Sequence, residues 1–238
     1  MSGHNTWSKI KHNKAATDAQ RSKIFSSLSK ELIIVAKNGG DPETNFQLKM
    51  VVDKAKSANM PKVNIDKAVK RGSGELKNEA QLEEFLFEAY GPNQVAMLIR
   101  AVSDNKNRTL SEVRTLLTKN GGKMVEAGSI GWQFDQVGKV VLGEINKTED
   151  EMEEILIESG ANDYKKEEGD FIIYTSMQEL QDVQKNLEKY GLKIKEVGLT
   201  YLPQNTLELN EKYLEKYAEF FDKIEEQDDV VEIYDNIF

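Results

Sequence analysis

Lys9, Lys11, Lys14, Arg21 and Lys23 crowd the opening of this chain, interleaved with Trp7, His4 and His12, and Asp18 is the lone acid among them. Lysine and arginine neutralise phosphates and release counterions, which gives sequence-independent, salt-sensitive binding. The Trp7 indole can stack on an unpaired base, and His12 can stack or contact a phosphate. The competing reading is a solvated basic helix face with Trp7 packed on the neighbouring helices as an anchor. Two later segments carry the same kind of chemistry. Asp104-Asn105-Lys106-Asn107-Arg108-Thr109 lies between a strand end and a helix start, where free backbone N–H groups favour anions. It reads equally as a polar turn with Thr109 as the helix cap. In the segment 121–129, Gly121, Gly122 and Gly128 flank Lys123 and an apolar Met124-Val125 tip. A turn explains the glycines, whereas an exposed Met124 calls for a partner surface. Trp132 and Phe134 alternate beyond it and read as core strand residues.

Other chemistry is sparse. The chain has no cysteine, and both histidines sit in the opening segment. It holds no G-x-S-x-G elbow, H-E-x-x-H pair, Walker loop or G-x-G-x-x-G turn. The glutamate-rich run 149–154 reads as a solvated helix face. These absences argue against an enzyme and against a bound metal or cofactor. Charge is unevenly placed: up to Gly74 there are 14 Lys and Arg against 6 Asp and Glu, so a segment of +8 precedes a remainder of −17 in a chain of net −9. Such asymmetry suits one end that seeks phosphates and a body that resists indiscriminate sticking. No run approaches the roughly 18 apolar residues of a spanning helix, and the basic opening lacks the apolar stretch of a secretory signal. The expectation is a cytoplasmic protein with no membrane association, acting as a monomer.

Positioning these residues requires elements, and hydrophobic spacing supplies them. From Lys14 to Lys37 apolar residues recur at helical spacing, and Gly39-Gly40-Asp41-Pro42 ends the run. A second helix covers about 45–58, and a third follows Pro61 and ends at Arg71-Gly72-Ser73-Gly74. Beyond a polar linker, 85–89 and 94–102 read as strands joined through Tyr90-Gly91-Pro92-Asn93. Thr109 with Glu112, Thr148 with Glu151, and Ser176 with Glu179 match the S/T-x-x-E capping box, which places helices at about 109–120, 148–159 and 176–190. Strands at 139–144, 161–167, 170–175 and 193–202 complete a β-α-β-β-α-β order between 139 and 203, the split βαβ arrangement. The segment 81–136 is incomplete by that standard. Its missing parts appear at a strand 206–209, a helix from Asn210 and a strand 230–234. The fold expected is therefore α+β: an N-terminal three-helix domain, then two α+β domains with antiparallel sheets, the last ferredoxin-like and inserted into the second. The boundaries expected are 1–79 for the basic helical domain with its tail, 80–136 plus 204–238, and 137–203.

Gly3-His4-x-x-Trp7-x-x-Ile10-Lys11-His12-x-Lys14-Ala15-Ala16 and Asp18-Ala19-x-Arg21-x-Lys23-x-Phe25 resemble the signature of the YebC family. So do Asn59-Met60-Pro61 with Ile65, Tyr90-Gly91-Pro92, Asn107-Arg108-Thr109, and Gly121-Gly122 followed by Gly128-Ser129. The similarity spans essentially the whole chain. It departs where Asn5-Thr6 replaces a common Ser-Lys and where Asn13 replaces a basic residue. The family includes bacterial proteins named as probable transcriptional regulators and the mitochondrial translational activator of cytochrome oxidase. The resemblance implies three domains, a helical one followed by two of α+β type. It implies one of two activities: a DNA-binding regulator at promoters, or a ribosome-associated factor that helps translation through proline runs. In the second, the loop around Met124 approaches the ribosomal catalytic centre while basic residues hold ribosomal RNA.

The function expected is a nucleic-acid-binding regulator of gene expression, its partner promoter DNA or ribosomal RNA, with the ribosome itself a further partner. Lys9, Lys11, Lys14, Arg21 and Lys23 are the expected backbone contacts, with Lys106, Arg108 and Lys123 as secondary ones. The rival from another class is a protein-interaction scaffold whose acidic body binds a basic partner.

Overall fold

The structure, a computed structural model, describes residues 18–76, 79–143, 145, 147–167 and 169–237. Three helices come first: α1 (Asp18–Ala36), α2 (Phe46–Ser57) and α3 (Lys62–Gly72). Asn45 joins the first two. Its side-chain oxygen accepts from the Leu48 amide at 3.1 Å, capping α2, while its Nδ2 donates to the carbonyls of Val35 at 2.9 Å and Gly39 at 2.8 Å at the end of α1. Pro61 is the N-cap of α3, and Leu28, Leu32, Leu48, Ala55, Ile65 and Ala68 close the core between the helices. Where α3 crosses α1 the backbones nearly touch. A Cβ on Gly72 would lie 2.3 Å from the Ile33 carbonyl oxygen and 2.7 Å from Ala36 Cβ.

The first sheet contains β1 (Glu83–Tyr90), β2 (Ala96–Ser103), β3 (Lys123–Val125) and β8 (Val230–Asp235), all antiparallel in the order β3-β1-β2-β8. Alternate residues of β1 and β2, among them Phe87, Met97 and Ile99, pack against α4 (Lys106–Lys119) and α7 (Glu211–Glu225) through Val113, Leu117, Tyr217 and Phe221. The second sheet, β4 (Phe134–Leu142), β5 (Asp163–Glu167), β6 (Asp170–Thr175) and β7 (Ile194–Pro203), runs β5-β6-β4-β7 and is again antiparallel. Helices α5 (Glu149–Ser159) and α6 (Leu180–Lys189) share its core with Val140, Leu156, Ile173, Val183 and Leu187. The chain leaves the first sheet after β3, builds the whole second sheet, and returns through α7 to place β8 beside β2. This is the α+β fold expected, with a ferredoxin-like unit inserted between the parts of another.

Several local expectations shift. Thr148 and Glu151 form the full capping box of α5, and Ser176 Oγ pairs with Glu179 ahead of α6. Thr109 does not cap α4. Asn105 does, accepting from the Arg108 amide at 3.1 Å, so the helix starts three residues earlier and Thr109 is buried inside it. The strand expected at 206–209 reduces to a single bridge between Leu207 and Ile237. The strand expected from 139 begins at Phe134, because β7 pairs with β4 along its length from Pro203 opposite Phe134.

Helix α1 docks on the return segment between α7 and β8. Lys23 Nζ donates to the Gln227 carbonyl at 2.6 Å, Lys30 Nζ to the Asp228 carbonyl at 2.7 Å, and Ser27 Oγ to the Val231 carbonyl at 3.2 Å. Beside them Arg100 of β2 binds Glu31 of α1 at 2.7 Å, Glu84 of β1 at 2.9 Å and Glu232 of β8 at 3.1 Å.

Candidate nucleic-acid interface

Trp7, Lys9, Lys11, His12 and Lys14 lie outside the described residues. The remaining predicted site residues divide sharply by what surrounds them. Lys23 faces carbonyls of the return segment, and burial holds its ammonium pKa below the usual lysine value against the opposing pull of Asp228. Arg108 is engaged as well: its Nη2 reaches Ser103 Oγ at 3.0 Å and Asp104 and Asp229 at 3.1 Å each. Asp229 of the return segment thus occupies the Arg108 guanidinium from within the molecule. Burial pushes the Asp229 carboxyl up, but Lys30, Thr109 and Arg108 outweigh that and hold it well below the ordinary carboxylate range. Arg21 is exposed, its guanidinium 5.5 Å from the centre of the Phe25 ring.

Lys106 and Lys123 come together. Both line a cavity of about 830 Å³ beside β1, and Arg114 joins them from the next turns of α4. All three cations are exposed and form no ion pair among the described residues. Lys106 Nζ stands 5.5 Å from the centre of the Phe85 ring, and Phe85, Leu110 and Met124 give the cavity an apolar floor. The cavity exists because β3 is short. It pairs with β1 only from Glu88 to Tyr90, which leaves Glu83 to Phe87 without a strand on that side. Residues 106, 110 and 114 repeat at four-residue spacing, so they share one face of α4. With a helix start at Thr109 that stripe is invisible; with the Asn105 cap it is plain.

The segment 121–129 is not an open loop with an apolar tip. Lys123 to Val125 is β3, and Met124 is half-buried against the core of the first sheet. Gly121 takes φ +86° and Gly122 has no room for a side chain, since a Cβ there would lie 2.9 Å from the Tyr90 carbonyl oxygen. What is exposed is 126–129, with Gly128 at φ +88°. Buried Glu88 shapes that turn. Its Oε1 accepts from the Gly128 amide at 2.7 Å, and its Oε2 from the amides of Ile130 and, at 2.9 Å, Gly131. Burial pushes the Glu88 carboxyl up, yet these backbone donors prevail and leave it below the usual glutamate value. Trp132 is not a core residue: it sits on a short 3-10 turn and is 65% exposed. Phe134 is buried, as alternation suggested.

On the helical domain, Lys54 pairs with Glu31, Lys56 with Asp53, and Arg71 with Glu79. Lys62, Lys67 and Lys70 of α3 remain exposed without an ion pair among the described residues. Chemically, these surfaces can neutralise phosphates at two places, the cavity beside β1 and the outer face of α3. No described residue cluster offers a metal site, and no described helix is long and apolar enough to cross a membrane.

Residues 5–75 match the family described as TACO1/YebC protein N-terminal domain, and residues 82–237 match TACO1/YebC second and third domain. A probable transcriptional regulatory protein of Caldanaerobacter subterraneus is 44% identical over 239 residues, covering 100% of this chain and 98% of that protein. One of the same name from Thermoanaerobacter pseudethanolicus is 43% identical, covering 100% and 97%. The crystal structure of a conserved hypothetical protein from Aquifex aeolicus superposes with a TM-score of 0.87 at 39% identity, covering 98% of this chain and 97% of that one. Matched from its basic opening to its last strand in sequence and in fold, the chain belongs to the TACO1/YebC family.

Proposed function

We propose that this protein is a nucleic-acid-binding regulator of gene expression that acts without catalysis. The observation that carries the reading is that Lys106, Arg114 and Lys123, without an ion pair among the described residues, line one cavity whose acids are Glu84, bound to Arg100, Glu88, bound to backbone amides, and exposed Glu126. Free cations on a body of negative net charge are retained against the general charge balance, and a phosphate backbone is the ligand they fit. Lys9, Lys11, Lys14 and Arg21 of the basic opening, with Trp7 and His12, extend the footprint, and so do Lys62, Lys67 and Lys70. The three units 1–79, 80–136 with 204–238, and 137–203 then work as one binding device.

The relatives are named probable transcriptional regulatory proteins, and promoter DNA is the first reading of the ligand. A second reading, structured RNA such as that of the ribosome, is favoured by the engagement of Lys23 and Lys30 with the return segment. With those cations docked, α1 lacks the free basic face of a major-groove reading helix. Titration of labelled duplex DNA and structured RNA across a salt series, with wild type and a Lys106→Ala/Arg114→Ala/Lys123→Ala variant, tests both. Each lost phosphate contact should flatten the log–log salt slope by about 0.7–0.9, so the triple variant is expected to lose about 2.1–2.7. An unchanged slope and affinity would sink the cavity as the binding site.

A further inference from the structure

We propose that Trp132 is a stacking platform for an unpaired nucleobase, so that the ligand enters this part of the site as a single strand. The proposal rests on the reading of the adjacent cavity as a nucleic-acid site, and it adds what that site recognises.

A tryptophan 65% exposed is unusual, because the indole is the largest apolar side chain and gains most from burial. Here it is also tethered. Its Nε1 donates to the Ser129 carbonyl at 3.1 Å, so its polar edge is satisfied internally and the π-face is what it has left to offer. The turn beneath it is pinned on both sides by buried Ile130 and Phe134. Glu88 grips the preceding amides at Gly128, Ile130 and Gly131. A ring fixed before binding gives up little conformational freedom on binding, which is what a stacking surface requires. The indole is also tied to the rim of the cavity. Ser129, which accepts from the indole, lines the same cavity as Lys106, Arg114 and Lys123.

The surroundings favour a base over a protein partner. A docking tryptophan normally sits within an apolar patch. The exposed residues flanking it in the chain are Glu126, Ala127, Gly128, Ser129, Asp135 and Gln136, mostly polar or small. Asp135, three residues beyond the indole, offers a phosphate nothing at this spot, which favours the uncharged base as the part of a nucleotide that the indole takes. The backbone then runs toward the three cations.

The test compares full-length wild type with Trp132→Ala and Trp132→Phe, using fluorescence anisotropy of two labelled single strands of about 12 nucleotides. One is oligouridine; the other is an abasic strand of equal length and charge. Trp132→Ala should weaken oligouridine binding about tenfold, within the range for one stacked base, and leave abasic binding unchanged. Trp132→Phe, which keeps a ring, should fall between wild type and Trp132→Ala on oligouridine alone and guards against a folding artefact. Equal losses on both strands, or no loss on either, would overturn the platform while leaving the cavity reading intact. Failure of wild type to bind either strand would also overturn the platform, while the cavity reading stands or falls with the duplex and structured-RNA titration of the triple variant.

Discussion

A single carboxylate, Glu88, decides where the turn 126–131 sits. Hydrogen bonds from backbone amides to a buried charged acceptor contribute about 1.5–3 kcal/mol each in mutational terms, and Glu88 accepts three. In Glu88→Gln one acceptor oxygen becomes a donor and clashes electrically with an amide. The expected cost is about 2 kcal/mol in urea unfolding at neutral pH. Because the folded pKa is depressed, the carboxylate's contribution is full above the ordinary glutamate range and is lost as pH falls through the folded value. The gap between wild type and Glu88→Gln should therefore close on acidification; a gap that stays constant to low pH would count against the charge as its source. Glu88 carries no mark in the sequence, where it reads as one polar position of a strand. Its role comes from residues 40 to 43 positions away. Lys106 and Lys123, by contrast, were legible as loop cations, but their meeting across β1 was not.

Elements meet at close quarters where α3 crosses α1. Gly72 lets the two helices approach, and a methyl group there has only the Ile33 carbonyl and Ala36 to press on. Gly72→Ala should lower stability by about 2 kcal/mol or more, the usual scale of overpacking, although alanine is the better helix former. Thermal unfolding of the full chain measures it, and an unchanged midpoint would show that the crossing can relax. The helix itself was readable from Pro61 and the apolar spacing at Ile65 and Ala68, whereas Gly72 reads only as part of a stop signal, Arg71-Gly72-Ser73-Gly74. The same limit governs α4. Both Asn105 and Thr109 are good caps by type, and the sequence alone offers Thr109 because Glu112 completes a box. The fold chooses Asn105, because Thr109 Oγ1 reaches Asp229 at 2.7 Å, 120 residues away.

At the scale of the whole molecule, Arg100 ties the helical domain to the first sheet. It binds Glu31, Glu84 and Glu232 from three elements, and Glu31 is 6% exposed. Removing one partner of a buried pair strands the other charge, so Arg100→Met should destabilise by about 3 kcal/mol. Amide hydrogen exchange should show α1 losing protection along with it. If α1 keeps full protection, the apolar contacts of Val102 and Val231 with the helical core carry the docking instead. The inserted second sheet was legible because its order of elements is complete, while the first lacked parts that turned up beyond 204. What no local pattern shows is that α1 and β8, more than 190 residues apart in the chain, share hydrogen bonds.

The return of β8 to β2 has a consequence for how the protein is made. Synthesis runs from the N-terminus, so β2 waits for its outer neighbour until everything between Ser103 and Val230 has been produced. The inserted unit holds all four of its strands within 134–203 and can mature early, whereas contacts of such long sequence separation form slowly. Until Gln227 to Val231 emerge, Lys23, Ser27 and Lys30 have nothing to dock on. A nascent chain therefore carries α1 free of the return segment, and a stretch made long after α1 is the one that reins it in.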